Sequence, residues 1–218
     1  KAVVYASPHT HHTFTKALRV AGLKECIVRE VALDQGLRID PAALRERIEH
    51  DRKEGLNPWL VAASAGTTDS GSVDPLDAIA DIAQEFDAWM QVDAAYGGAF
   101  ASCEEGRRRL RGIERSDSLV LAPHKGFFIP CGLGVVLVRE GHKLYDAYHA
   151  RGTYMQDVAA DPERSPCDYS AELTRPSRAL RLWLPLKMHG TAAFAAALEE
   201  KLLLARYFYD EVQKIPGI

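Results

Sequence analysis

The chain has 218 residues, 47% of them hydrophobic, with 27 basic and 30 acidic side chains that give a formal charge of -3 at pH 7. Such a composition excludes a disordered, collagen-like or disulfide-scaffold protein and supplies enough apolar material for a substantial core. The near balance of charge, with no basic stripe beyond Arg107, Arg108, Arg109 and Arg111, argues against nucleic acid as a partner. Cys26, Cys103, Cys131 and Cys167 are widely spaced with no CxxC pair, so no zinc ribbon or disulfide framework is expected, and a reducing cytoplasm fits best. No apolar run approaches the ~20 residues that cross a bilayer, so no membrane association is expected.

In chain order, short apolar runs alternate with segments of helical period, the pattern of an α/β protein with a mostly parallel sheet and crossover helices. The chain opens at Lys1 without methionine and runs straight into the first strand, Ala2 to Ala6, so it reads as an excerpt of a longer polypeptide. A helix is expected near Thr13 to Ala21 and a second strand at Cys26 to Val31. Asp40-Pro41 opens the next helix with an N-cap acceptor ahead of proline, and Gly55 stops it after Glu54. A strand follows at Trp59 to Ser64, then a helix from Pro75 to Phe86 that Asp74 is expected to cap. In that helix Leu76, Ile79, Ala80 and Ala83 share one face and should pack on the sheet. Strands at Ala88 to Val92, Ser118 to Leu121 and Gly134 to Arg139 complete the set, and Trp59 to Val92 reads as a βαβ unit. From Leu180 the pattern changes to long helices.

Ligands in open α/β sheets sit outside the carboxyl ends of the strands, so the residues after each run carry the functional reading. His9, His11 and His12 follow the first strand, Ala65-Gly-Thr-Thr68 the third, Asp93-Ala-Ala-Tyr96-Gly-Gly98 the fourth and Ala122-Pro-His-Lys125 the fifth. Each has a plain alternative: Asp93 as an N-cap, Thr68 as a turn hydroxyl, the histidines as a surface loop or a metal cluster, Lys125 as a solvated lysine. A lysine at the end of a buried strand is nonetheless an expensive place for a charge, which points to Schiff-base chemistry. An imidazole, a hydroxyl, a carboxylate and an amine converging on one crevice match what pyridoxal phosphate needs. A nucleotide-binding or interaction protein would share the periodicity, but no GxGxxG or GxxxxGK[ST] follows any predicted strand.

Several motifs resemble the group II pyridoxal-phosphate decarboxylases of aromatic amino acids, histidine and glutamate. They are His11-His-Thr-Phe-Thr-Lys16-Ala17, Ala65-Gly-Thr-Thr68, Val92-Asp-Ala-Ala-Tyr96, Pro123-His-Lys125 and Arg178-Ala-Leu-Arg-Leu-Trp183. The resemblance implies the large domain of a fold-type I pyridoxal-phosphate enzyme over 1–180, its N-terminal part lying before Lys1. Residues 181–218 would be a helical segment leading toward a small C-terminal domain. It implies pyridoxal 5'-phosphate as cofactor, α-decarboxylation of an L-amino acid to its amine and carbon dioxide, no metal, and a homodimer with an interfacial active site. Residue by residue, it implies that Lys125 holds the cofactor as a Schiff base and His124 contacts its phosphate. Asp93 would pair with the pyridine nitrogen, Ala95 and His11 would lie on the two ring faces, and Thr68 would approach the phenolic oxygen. Tyr154 falls where the family keeps the tyrosine that protonates the substrate carbon, and Thr174 is the substrate-facing candidate. Another activity on the same fold, a carbon-carbon lyase or an aminotransferase, would need Asp93 and Lys125 but not Tyr154. The chain departs from the family's usual pattern at Ala122, at Gly126 after the lysine, and at Arg175-Pro176.

Overall fold

The structure is a computed structural model that describes residues 1–150 and 165–217. The apolar runs form β1 (Ala2–Ala6), β2 (Ile27–Glu30), β3 (Asn57–Ser64), β4 (Trp89–Asp93), β5 (Ser118–Leu121) and β6 (Val135–Val138). These lie in one sheet in the order β2-β1-β3-β4-β5-β6. β1 to β5 pair in parallel and β6 returns antiparallel to β5. Strands covered on both faces read as continuous apolar runs, and Val3, Val4 and Tyr5 of β1 are fully buried. The expected strands are all present with shifts of one or two residues at their ends. β2 loses Cys26 and Val31, and β3 gains Asn57 and Pro58.

The first helices are α1 (Thr13–Val20), α2 (Pro41–Lys53) and α3 (Leu76–Glu85), of which α2 and α3 pack on the sheet. Asp40 caps α2 as expected, its side chain accepting the amides of Ala42 at 2.8 Å and Ala43 at 3.4 Å. Gly55 follows α2 at a φ of 73°, where a Cβ would be strained. Leu44 and Ile48 of α2 and Leu76, Ile79, Ala80 and Ala83 of α3 join Val3, Val61 and Met90 in one core. Each fully buried Leu or Ile contributes about 1.5–3 kcal/mol relative to exposure.

The expected cap at Asp74 is corrected by the structure, because Pro75 occupies the position before α3 and Asp74 makes no cap bond. Asp74 is instead buried between two loops, where its carboxylate accepts the amides of Ile39 at 2.8 Å and Ser64 at 2.7 Å. Burial pushes its carboxyl up from the usual range, against the pull of those two amides.

A second buried carboxylate ties β1, β2 and α2 together. Asp51 is fully buried, accepts the Tyr5 hydroxyl at 3.1 Å, and pairs with Arg29 at 2.8 Å. Burial first, and the Asp51 charge second, hold the Tyr5 phenol above its ordinary value.

The remaining helices are α4 (Glu104–Arg109), the single turn α5 (Pro123–Gly126), α6 (Gly141–Tyr148) and α7 (Leu180–Val212). Gly190, at φ 78° and ψ 157°, breaks α7 into two helices, in keeping with the long helical stretches expected from Leu180. Leu198 of α7 is buried against Ala99 and Cys103, which joins the helix to the turn after β4. Among the described residues no helix is long and apolar enough to cross a membrane.

Candidate active site

The chain moves from β1 outward to β2, then returns to the other side of β1 to lay down β3, β4 and β5. The strand order therefore reverses between β1 and β3, and the loops at their carboxyl ends diverge to leave a crevice. A cavity of about 480 Å³ occupies that position, a size suited to a small molecule. All four strand ends singled out in the sequence reach it, through His11, Thr68, Asp93 with Ala95, and Lys125.

After β4, Asp93 Oδ1 accepts the Ala95 amide at 3.0 Å, which fixes the carboxylate and the turn together. The amide of Ala94 donates to Val120 O at 3.1 Å and that of Ala122 to Ala95 O at 3.1 Å, stitching the ends of β4 and β5 side by side. Lys125 stands in the single turn α5 that follows, its amide donating to Ala122 O at 2.8 Å. It is an exposed residue of this chain, so the expectation of a lysine under a desolvation penalty is corrected. Its claim to a role rests on the groups that share its cavity.

The hydroxyls after β3 divide their work. Thr67 is buried, its Oγ1 lying 2.8 Å from Ser70 Oγ and accepting the Ser72 amide at 3.2 Å, whereas Thr68 stands exposed at the cavity. Asp74 anchors the start of this loop, since Ser64 both donates its amide to the carboxylate and accepts the Asp74 amide at 2.9 Å. Gly97, in the turn after β4, closes the approach from the other side. A Cβ there would stand 1.9 Å from Ala65 O, so only glycine lets the two loops meet.

His11 lines the cavity with its Nδ1 already engaged. The Thr13 amide donates to it at 3.3 Å and Thr13 Oγ1 lies 2.7 Å away, so the ring proton sits on Nε2. The metal reading of the histidine cluster finds no support among the described residues, which contain no group of three His, Cys, Asp or Glu side chains placed to hold an ion. His12 lies against the His11 ring at 4.3 Å between centroids, and is exposed.

Two other candidates are not brought to the cavity. His124 points its Nδ1 toward Leu133 O at 3.4 Å, and Thr174 is exposed ahead of α7. Tyr154 lies outside the described residues. Ser64, Gly66, Thr67 and Tyr96 also line the cavity, although the sequence reading gave them no role there. The strand-end rule that selected Thr68 and Asp93 applies equally to Ser64 and Tyr96, each within a few residues of a strand end. The departure at Gly126 also has a local reason: a Cβ there would fall 2.3 Å from that of Ala99, so the turn after β4 leaves no room for a larger side chain.

Chemically the cavity offers one amine able to condense with an aldehyde and one carboxylate able to hold a cationic ring nitrogen. It adds an imidazole able to stack and a set of hydroxyl donors, a donor set that fits pyridoxal phosphate. Fold and site together define an open α/β protein with a polar crevice at its switch point.

The match to known proteins narrows that class. Residues 1–216 match the model described as the pyridoxal-dependent decarboxylase conserved domain, and the chain belongs to that family. It is similar to the aromatic-L-amino-acid decarboxylase of Bacillus atrophaeus, 38% identical over 94% of this chain and 43% of that protein. It is 36% identical to tryptophan decarboxylase 1 of Oryza sativa subsp. japonica over 98% of this chain and 42% of that one. The solved structure of Oryza sativa TDC with PLP and tryptamine superposes with a TM-score of 0.91 at 34% identity, covering 98% of this chain and 44% of that one. The chain thus spans less than half the length of the curated relatives it matches.

Proposed function

We propose that the protein removes the α-carboxylate of an L-amino acid with pyridoxal phosphate, giving the amine and carbon dioxide. The observation that carries this reading is the meeting of Lys125, Asp93 and His11 in one cavity of a chain from the pyridoxal-dependent decarboxylase family. When bound, pyridoxal phosphate supplies an electron-withdrawing ring that accepts the electron pair left as carbon dioxide departs.

The chain's own residues set that chemistry up. Lys125 Nζ is the amine for the aldehyde carbon, and Asp93 holds a proton on the pyridine nitrogen. His11 and Ala95 would hold the ring between them, and the Thr68 hydroxyl would serve the phenolic oxygen. His124 is assigned to the phosphate by the resemblance alone, because it does not line the cavity. Tyr154 is assigned, on the same ground, to proton delivery at the substrate carbon. Lys125 and Thr68 are exposed on this chain, which supports a site completed by further polypeptide, including a second subunit. In the same reading, residues 1–180 are the cofactor-binding domain and 181–218 lead out of it.

The names of the relatives put aromatic L-amino acids first among the substrates to try. The test is Lys125→Ala in the full-length protein, scored by visible absorbance of added pyridoxal phosphate and by release of labelled carbon dioxide. Loss of both is expected; retention of full activity would sink the proposal.

A further inference from the structure

Thr13 lines the cavity together with His11 and is left without a task by the reading above. Two of its groups converge on one atom of that histidine. Its hydroxyl oxygen stands 2.7 Å from His11 Nδ1, and its amide donates to the same nitrogen at 3.3 Å. An amide nitrogen can only donate, so Nδ1 must present its lone pair, the hydroxyl must donate as well, and the ring proton is confined to Nε2.

The start of α1 explains why the two residues meet. The first amides of a helix have no partner within it, and a Ser, Thr, Asp or Asn at the cap commonly takes one of them. His12 occupies the position before α1 and makes no side-chain cap bond. The His11 imidazole takes that duty for the Thr13 amide, while the Phe14 amide holds the His11 backbone by donating to its carbonyl at 2.9 Å. His12 lies against one side of the imidazole, 4.3 Å between ring centroids. The backbone, one ring nitrogen and one side of His11 are thus all engaged by the chain itself.

The torsion that turns a histidine ring is broad and two-fold, so an unheld imidazole at the cavity would sample both ring flips and both tautomers. We propose that Thr13 is a positioning residue of this site, whose hydroxyl fixes the rotation and the tautomer of His11 so that the imidazole is preset for its ligand. The hydroxyl carries the role because its contact is the shorter of the two. Thr13 is exposed, so its side chain has no place in the core that would account for the contact. The proposal rests on the reading in which His11 lies against the pyridoxal ring.

The test uses full-length protein carrying Thr13→Val, which keeps the branched shape and removes the hydroxyl, and Thr13→Ser, which keeps the hydroxyl. Thr13→Ala replaces the valine variant should that one fail to fold. The first readout needs no cofactor: heteronuclear NMR of apo-protein labelled at the histidine ring nitrogens, in which the His11 signals are those lost in His11→Phe. The wild type should show a bare Nδ1 and a protonated Nε2, and the serine variant the same pattern. The valine variant should show signals displaced toward an average of the two tautomers. The second readout is pyridoxal-phosphate affinity by visible absorbance, together with release of labelled carbon dioxide. Loss of one hydrogen bond in Thr13→Val should lower these by up to roughly tenfold, and serine should restore most of the loss. Added to His11→Phe, which has no Nδ1 to hold, Thr13→Val should cost nothing further. Unchanged His11 signals or unchanged affinity and release in Thr13→Val, equal losses in the valine and serine variants, or the same loss in the His11→Phe background would overturn the proposal. Failure of the unmutated protein to take up pyridoxal phosphate would instead overturn the reading on which it rests.

Discussion

Replacing Gly97 with alanine is the sharpest perturbation of the scaffold behind the cavity. The added methyl would start 1.9 Å from Ala65 O and 2.9 Å from Ala65 C, both backbone atoms that cannot rotate away. Carbon and oxygen at van der Waals contact stand more than 3 Å apart, so the turn after β4 and the loop after β3 must separate by about 1 Å. Overpacking of this kind costs about 1–3 kcal/mol in stability. The functional effect should be larger than the stability effect implies, because Gly66 and Tyr96 sit on the two separating segments and both line the cavity. A displacement near 1 Å at a reaction site can cost about 100-fold in rate. Urea unfolding of the apo-protein measures the first quantity, while amine production and cofactor titration measure the second. A Gly97→Ala protein with unchanged unfolding midpoint and unchanged turnover would refute the claim that this contact sets the spacing of the two strand ends.

Asp51→Ala leaves the Arg29 guanidinium and the buried Tyr5 hydroxyl without their partner and should lower stability by about 3–5 kcal/mol, read from the shift in urea midpoint. Asp74 gives a pH dependence. Its carboxyl is pushed up by burial, so its contribution to stability is complete below the ordinary aspartate value of about 4 and is lost as pH rises through its own higher value. The stability of the wild type relative to Asp74→Asn should therefore fall as pH rises above the ordinary aspartate value in urea titrations, and a difference that grows with pH would contradict it. Tyr154→Phe should keep the cofactor's visible absorbance while impairing clean amine production, measured by chromatography of the products; unchanged turnover would remove Tyr154 from the mechanism.

The strands were legible because each is an apolar run closed by a polar or glycine-containing segment, and β1, with Val3, Val4 and Tyr5 all buried, is the clearest case. Once the strands are fixed, Thr68, Asp93 and Lys125 must follow their ends, so this part of the cavity was legible too. What escaped is carried by backbone atoms and by contacts distant in sequence. Asp74 precedes a proline as a helix cap would, yet its acceptors serve the amides of Ile39 and Ser64, a pairing visible only when the loop before α2 lies beside the end of β3. Gly97 reads as a turn residue, and its true constraint is the carbonyl of Ala65. The exposure of Lys125 was hidden for a related reason, since a strand's burial does not extend to the single turn that follows it.

The antiparallel return of β6 has a consequence for how the site is organised in time. Leu121 pairs directly with Val135, so residues 122–134, with Lys125 among them, form a loop whose two ends are already joined. Closing such a local loop carries a small entropic penalty, whereas β1 finds β3 only by spanning the whole β2 and α2 excursion. The amine thus sits on the most local piece of the sheet and the imidazoles on one of its least local pairings. Slackening of the β1–β3 contact would free the histidine wall and leave the lysine hairpin intact.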